Sequence, residues 1–142
     1  MEYNSAIIIR GIPGSGKSTT AKAIQKDLTD KGRNVLWYEA DSYFTHDGAY
    51  RFDASRLSDA HRQCLESFKN ALSRKGSTTV IVSNTFTTLR ELDPYVSFCK
   101  DNGIPFDVIR CTGEYGSIHG VPPATLDRMK ARFQDYPGET LI

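Results

Sequence analysis

The chain has 142 residues, with 18 lysines and arginines against 17 aspartates and glutamates and a net charge of +1. That length fits one domain with a self-sufficient core, and the near-zero charge excludes a grip on long nucleic acid by bulk electrostatics. Charged residues at 25% and aromatics at 11% exclude a disordered or fibrous chain. The first aliphatic stretch, Ala6-Ile7-Ile8-Ile9, is far shorter than the ~20 residues of a membrane span and lacks the longer apolar region of a signal peptide. Cys64, Cys99 and Cys111 are odd in number and show no CxxC spacing, which argues against a disulfide framework or structural zinc. A cytoplasmic chain with no membrane partner is expected.

Taken in order, the elements alternate. Ala6-Ile7-Ile8-Ile9 predicts a strand buried on both faces. Ala21, Ile24 and Leu28 recur at helical spacing, and Lys31-Gly32 supplies the stop. Val35-Leu36-Trp37-Tyr38 is a second strand, followed by a long helix whose face is traced by Leu57, Ala60, Cys64, Phe68, Ala71 and Leu72. Val80-Ile81-Val82 is a third strand. Leu89, Leu92, Val96 and Cys99 predict a helix ending at Asn102-Gly103, with a break or kink at Pro94. Phe106-Asp107-Val108-Ile109 makes a fourth strand, and Leu126, Met129 and Phe133 mark a last helix begun at Pro122-Pro123. Thr140-Leu141-Ile142 is either a short fifth strand or a frayed tail. The alternation predicts an α/β three-layer sandwich with a central, mostly parallel sheet of four to five strands.

Gly11-Ile12-Pro13-Gly14-Ser15-Gly16-Lys17-Ser18 completes the pattern G-x-x-x-x-G-K-[ST], with a strand before it and an amphipathic helix after it. Glycines let successive backbone N–H groups curl toward phosphate oxygens, and the helix start adds partial positive charge. Lys17 can reach the β- and γ-phosphates, and the Ser18 hydroxyl can ligate Mg²⁺. The expected ATP-binding set is Gly11, Pro13, Gly14, Ser15, Gly16, Lys17, Ser18, Thr19 and Arg128, with ATP and Mg²⁺ as cofactors. No Asn-Lys-x-Asp run is present to read guanine, so a kinase is favoured over a GTPase.

Asp41 follows the second strand, at the carboxyl end where parallel sheets bind ligands. A carboxylate there can accept the proton of an attacking hydroxyl and help hold magnesium through water. The bland alternative is a helix cap. Glu39 is expected to point to the opposite side and is the weaker candidate. Between Tyr43 and Asp53, an aromatic loop with a central Asp47-Gly48 turn signal carries Arg51, which together with Tyr43 can grip a strand end. The same aromatics can equally anchor the loop to the core. His61 reads as structural, His119 as a phosphate contact or a helix cap, and the cysteines as core residues.

Several of these segments fall in a familiar order. The phosphate loop, Glu39-Ala40-Asp41-Ser42-Tyr43-Phe44, the residues from Asp47 to Asp53, Ala60-His61, Val80-Ile81-Val82-Ser83-Asn84-Thr85 and Ile118-His119-Gly120-Val121-Pro122 resemble NEDD4-binding-protein-2-like ATP-binding proteins. Those belong with the bacteriophage polynucleotide 5′-hydroxyl kinases and their P-loop relatives. The resemblance implies one P-loop kinase domain over residues 1–142 that moves the γ-phosphate of ATP to a hydroxyl, with Lys17 and Asp41 catalytic. It implies a nucleic-acid 5′ end as partner, contacted by Arg51, Tyr43 and Asn84. Two departures stand out. Where the family carries an acid after the third strand, this chain has neutral Ser83 and Asn84, and its lid over residues 112–119 has no arginine. Arg110, Arg128 and Arg132 are the cations left to replace the lid arginines. A kinase of a small molecule and a low-turnover ATP-binding module are the rival readings.

Overall fold

Each branched or aromatic run becomes a strand in the computed structural model, which describes residues 3–116 and 120–142. The strands are β1 (Ser5–Arg10), β2 (Asn34–Tyr38), β3 (Thr45–His46), β4 (Ala49–Tyr50), β5 (Thr78–Asn84), β6 (Phe106–Arg110) and β7 (Thr140–Leu141). Five of them form one sheet in the order β2-β5-β1-β6-β7, and every pair in it is parallel. The C-terminal residues are therefore a strand and not a frayed tail. The described residues also form four α-helices, α1 (Lys17–Asp30), α2 (Leu57–Ser73), α3 (Leu89–Asp101) and α4 (Pro123–Arg132), and two short 3₁₀ helices (Ala40–Phe44 and Ala54–Arg56).

Side-chain alternation along the strands builds two separate apolar layers. On one face Ile9, Ile81 and Cys111 pack with Ala21 of α1, and Val35 and Trp37 join them. On the other, Ala6, Ile8, Val80, Val82 and Val108 pack against α2 through Phe68 and Leu72 and against α3 through Leu92 and Val96. Burying each large aliphatic or aromatic side chain contributes about 1.5–3 kcal/mol. Helices on both faces are what a wholly parallel sheet requires, because neither face can be left to water.

Two local expectations are corrected. Helix α3 runs unbroken through Pro94. The proline removes only the bond to the Arg90 carbonyl, in an exposed first turn, while Leu92, Tyr95, Val96 and Cys99 hold the helix to the sheet from its buried face. Leu57, at the head of α2, is 40% exposed and lies outside the core.

The last residue of the central strand is an arginine with no exposed surface. Arg10 donates to the Phe86 carbonyl from Nε at 3.0 Å and from Nη2 at 2.6 Å, and its Nη1 pairs with Glu139 at 2.8 Å. Its guanidinium carbon lies 4.3 Å from the centre of the Phe133 ring, and that of Arg110 lies 4.4 Å from the same ring. Burial lowers the Arg10 pKa, and Glu139 opposes that shift by hydrogen bond and charge. Glu139→Ala would leave a buried cation without its counter-charge, so a loss of about 3–5 kcal/mol is expected in urea unfolding.

Candidate functional site

Between the end of β1 and the start of α1, residues 11–16 form a tight loop. The Ser15 N–H donates to the Ile12 carbonyl at 3.1 Å, and the carbonyls of Gly14 and Ser15 are held from outside by the N–H groups of Tyr115 (2.8 Å) and Gly113 (3.1 Å). A carbonyl and the following N–H lie on opposite sides of one planar peptide, so pinning the Ser15 oxygen outward turns the Gly16 N–H inward. The first N–H groups of α1 have no acceptor within the helix, and its dipole makes that end positive.

Two side chains complete an anion cradle. The Ser15 hydroxyl is buried and has no hydrogen-bond partner among the described residues. Lys17 donates to the Ile12 carbonyl at 3.0 Å. Burial lowers its pKa, while Cys111, Glu39 and Asp41 favour its charged form. An orphan hydroxyl, a half-buried ammonium and a helix start fit a polyphosphate, and the exposed Ser18 hydroxyl in the first turn of α1 fits a phosphate-bound magnesium. Gly11, Pro13 and Thr19 belong to the same loop and turn. Arg128 does not join them. It lies exposed on α4, donating to Thr125 Oγ1 at 3.1 Å, and among the described residues no hydrogen bond or ion pair ties it to the loop.

After β2 the chain enters a short 3₁₀ helix (Ala40–Phe44) whose N-cap is Glu39, so Asp41 sits exposed in the first turn and is not a cap. The strands β3 and β4 form an antiparallel hairpin across Asp47 and Gly48, both with positive φ (50° and 78°), the geometry that tight two-residue hairpins favour. That hairpin carries Tyr50 back to Asp41, and the phenol donates to Oδ1 at 3.3 Å. Burial first, then the Asp41 charge and hydrogen bond, push the Tyr50 pKa up to about 12.

Ser83 and Asn84 face opposite ways. Asn84, 6% exposed, accepts from the Ala40 N–H at 2.8 Å and lies 3.6 Å from Cys64 Sγ, so it anchors the turn that displays Asp41. Ser83 lies on the α1 face, where it accepts from the Trp37 indole at 2.8 Å and donates to Glu39 at 3.1 Å. Glu39 thus shares the face of the phosphate loop, contrary to the expectation that it points away. Its alternation with Val35 and Trp37, which pack on the α1 layer, is the signal that places it there.

One residue beyond Asp41 opens a cavity of about 620 Å³, lined by Ser42, Tyr43, His46, Arg51 and Arg56 among others. Phe44 is the anchor of the aromatic loop, 3% exposed and ringed by Tyr43, Tyr50 and Phe52, while Arg51 is free to face solvent. Arg56, absent from the expected set, donates to the Tyr43 hydroxyl at 2.8 Å. A cation at the N-cap of α2 opposes the helix dipole, and that mismatch was its only trace in the sequence. Arg110 and Arg132 are committed elsewhere, to Asp135 with Glu139 and to Thr87. His119 lies outside the described residues.

The loop itself is testable. Gly14 has φ of 80°, and a Cβ there would lie 2.5 Å from the Gly116 carbonyl oxygen. Gly14→Ala is therefore strained twice over, and a loss of ATP affinity of at least tenfold by calorimetry is expected, with a small change in melting temperature.

Comparison with known proteins agrees with this geometry. The chain is 28% identical over 150 aligned positions to human NEDD4-binding protein 2, covering 96% of itself but only 8% of that protein's length. Among solved structures it resembles Chaetomium thermophilum Kti12 in complex with ADP-AlF3, with a TM-score of 0.72 at 14% identity, covering 96% of this chain and 88% of that one. It also resembles the Mycobacterium tuberculosis APS kinase CysC in complex with AMPPNP and APS, with a TM-score of 0.59 at 17% identity, covering 90% and 69%. At these identities the two structures speak for the fold alone. A family model described as an AAA domain matches residues 7–114, well over half of the sequence, and the chain belongs to that P-loop kinase-like AAA-domain family.

Proposed function

We propose that residues 1–142 form one ATP-dependent phosphotransferase domain whose acceptor is the 5′-hydroxyl of a polynucleotide. The observation that carries the reading is the juxtaposition of Asp41, tethered by Tyr50, with an open cavity bearing Arg51 and Arg56. Two guanidiniums beside Tyr43 and His46 suit phosphates and a stacked base at the end of a strand. The cavity volume lies within the usual range of small-ligand sites.

In this reading Lys17 and the inward N–H groups of the loop hold the β- and γ-phosphates. Ser18 is the side chain that would hold magnesium, whose charge offsets that of the phosphates. Asp41 accepts the proton of the acceptor hydroxyl as its oxygen bonds to the γ-phosphorus and the bond from phosphorus to the β–γ bridging oxygen breaks. The Tyr50 hydrogen bond aims the carboxylate. A cytoplasmic setting fits the buried free thiols of Cys64, Cys99 and Cys111.

Label from γ-labelled ATP should appear on 5′-hydroxyl oligonucleotides and not on 5′-phosphorylated controls. The near-neutral charge favours the rival, a small-molecule acceptor. Transfer to a metabolite with none to DNA or RNA decides for that rival, and ATP binding without any transfer decides for a regulatory module. Lys17→Ala should abolish turnover and weaken ATP binding. Asp41→Asn should lower kcat by about 10²–10⁴ while leaving ATP affinity close to wild type. Arg51→Ala should raise KM for the oligonucleotide and flatten its salt dependence, which is about 0.7 in log–log slope per phosphate contacted.

A further inference from the structure

Strand β5 ends in Ser83 and Asn84, neither of which carries a charge, beside a phosphate loop in which the Ser18 hydroxyl would hold the metal. Magnesium on a nucleotide keeps several waters and normally draws on one or two carboxylates as well as the phosphates. The charge therefore has to come from another strand.

The hydrogen bonds around Ser83 identify which. An indole N–H can only donate and a carboxylate can only accept. With Trp37 Nε1 at 2.8 Å and Glu39 Oε2 at 3.1 Å, the Ser83 hydroxyl must take the indole proton and aim its own at Glu39. Ser83 is 2% exposed and its rotor is set from both sides, so the carboxylate it touches is held in turn. In register, Tyr38 pairs with Val82 and Ile9 with Ser83, so Glu39 continues β2 alongside the end of β5. β5 itself adjoins β1, the strand that leads into the loop. A capping role does not explain Glu39: it occupies the N-cap of the 3₁₀ helix, yet its side chain makes no capping hydrogen bond.

We propose that Glu39, held by Ser83, is the carboxylate that orients the magnesium-bound water of ATP·Mg²⁺ from the edge of β2, replacing an acid at the end of β5. The proposal rests on the phosphotransferase reading above, and it divides the two carboxylates by task. Glu39 serves the metal and Asp41 the acceptor hydroxyl.

The test measures ATP binding by calorimetry with Mg²⁺ and with EDTA, and Mn²⁺ binding to the ATP complex by electron paramagnetic resonance. In wild type, Mg²⁺ should tighten ATP. Glu39→Gln should remove about 10–100-fold of metal affinity while leaving ATP affinity in EDTA unchanged. Ser83→Ala, which keeps the charge but frees the carboxylate, should give a smaller loss in the same direction. Adding Ser83→Asp to Glu39→Gln should return the metal dependence, because the charge is restored one strand over. Asp41→Asn should leave it intact. Wild-type metal dependence in a folded Glu39→Gln, or in Ser83→Ala should Glu39→Gln fail to fold, overturns the proposal while the phosphate-loop reading survives. ATP affinity unaffected by Lys17→Ala would remove both.

Discussion

A buried guanidinium at the end of the central strand is the constraint on which the rest of the site depends. Arg10 is the last residue before the phosphate loop, and its own carbonyl accepts from the Cys111 N–H at 2.8 Å. Its side chain gathers the turn after β5 through Phe86 and Thr87 and the C-terminal segment through Glu139. Leaving those bonds unmade in a fully buried position would cost several kcal/mol. The strand ends that bear the loop, Ser83 and Cys111 are consequently tied to one another before any ligand arrives. Phe133, lying against both Arg10 and Arg110, brings the chain after α4 into the same lock.

Within that frame, side-chain parity decides chemistry. Neighbouring residues at the end of β5 face different layers. Asn84 turns to the α2 side and is used to brace Ala40, while Ser83 turns to the α1 side and meets Glu39. A one-residue shift in register would exchange them and put the amide where the hydroxyl now orients a carboxylate. The same alternation carries Val35, Trp37 and Glu39 along β2 onto the loop's face.

The sheet and the phosphate loop were legible because each rests on local chemistry. Ile7-Ile8-Ile9 and Val80-Ile81-Val82 are short β-branched runs that suit strands buried on both faces, and the glycine pattern sits between a readable strand and a readable helix. Pro94 does not break its helix because continuity there is set by four buried neighbours and not by the backbone penalty alone. Asn84 and Arg128 show a different limit: an amide and a guanidinium advertise binding, but whether they reach a ligand depends on which face or element carries them. Glu39 was misjudged by treating it apart from the alternation that begins at Val35. Tyr50 could be named as one aromatic among several, yet its contact with Asp41 arises only once the Asp47-Gly48 hairpin folds back. Arg56 required the fold of that entire loop.

The distribution of cations follows from the same economy of contacts. From the end of β6 onward two arginines are spent on structure, Arg110 held by the C-terminal segment and Arg132 by the turn after β5, while Arg128 stays exposed on α4. Lys130 pairs with Glu114 at 3.7 Å. The cations lining the cavity after Asp41 are Arg51 and Arg56, the latter also paired with Asp59 at 3.1 Å, on elements that in the proposed reading would hold the acceptor. A lid rich in arginine stabilises the transferring phosphoryl group whatever the acceptor, whereas a cation supplied from the acceptor side helps only when the acceptor's own contacts seat it. Charge stabilisation that depends on the bound acceptor discriminates against water, the small competitor that cannot make those contacts. In the reading proposed above, a lid sequence without arginine would leave hydrolysis of ATP slow until the acceptor fills the cavity.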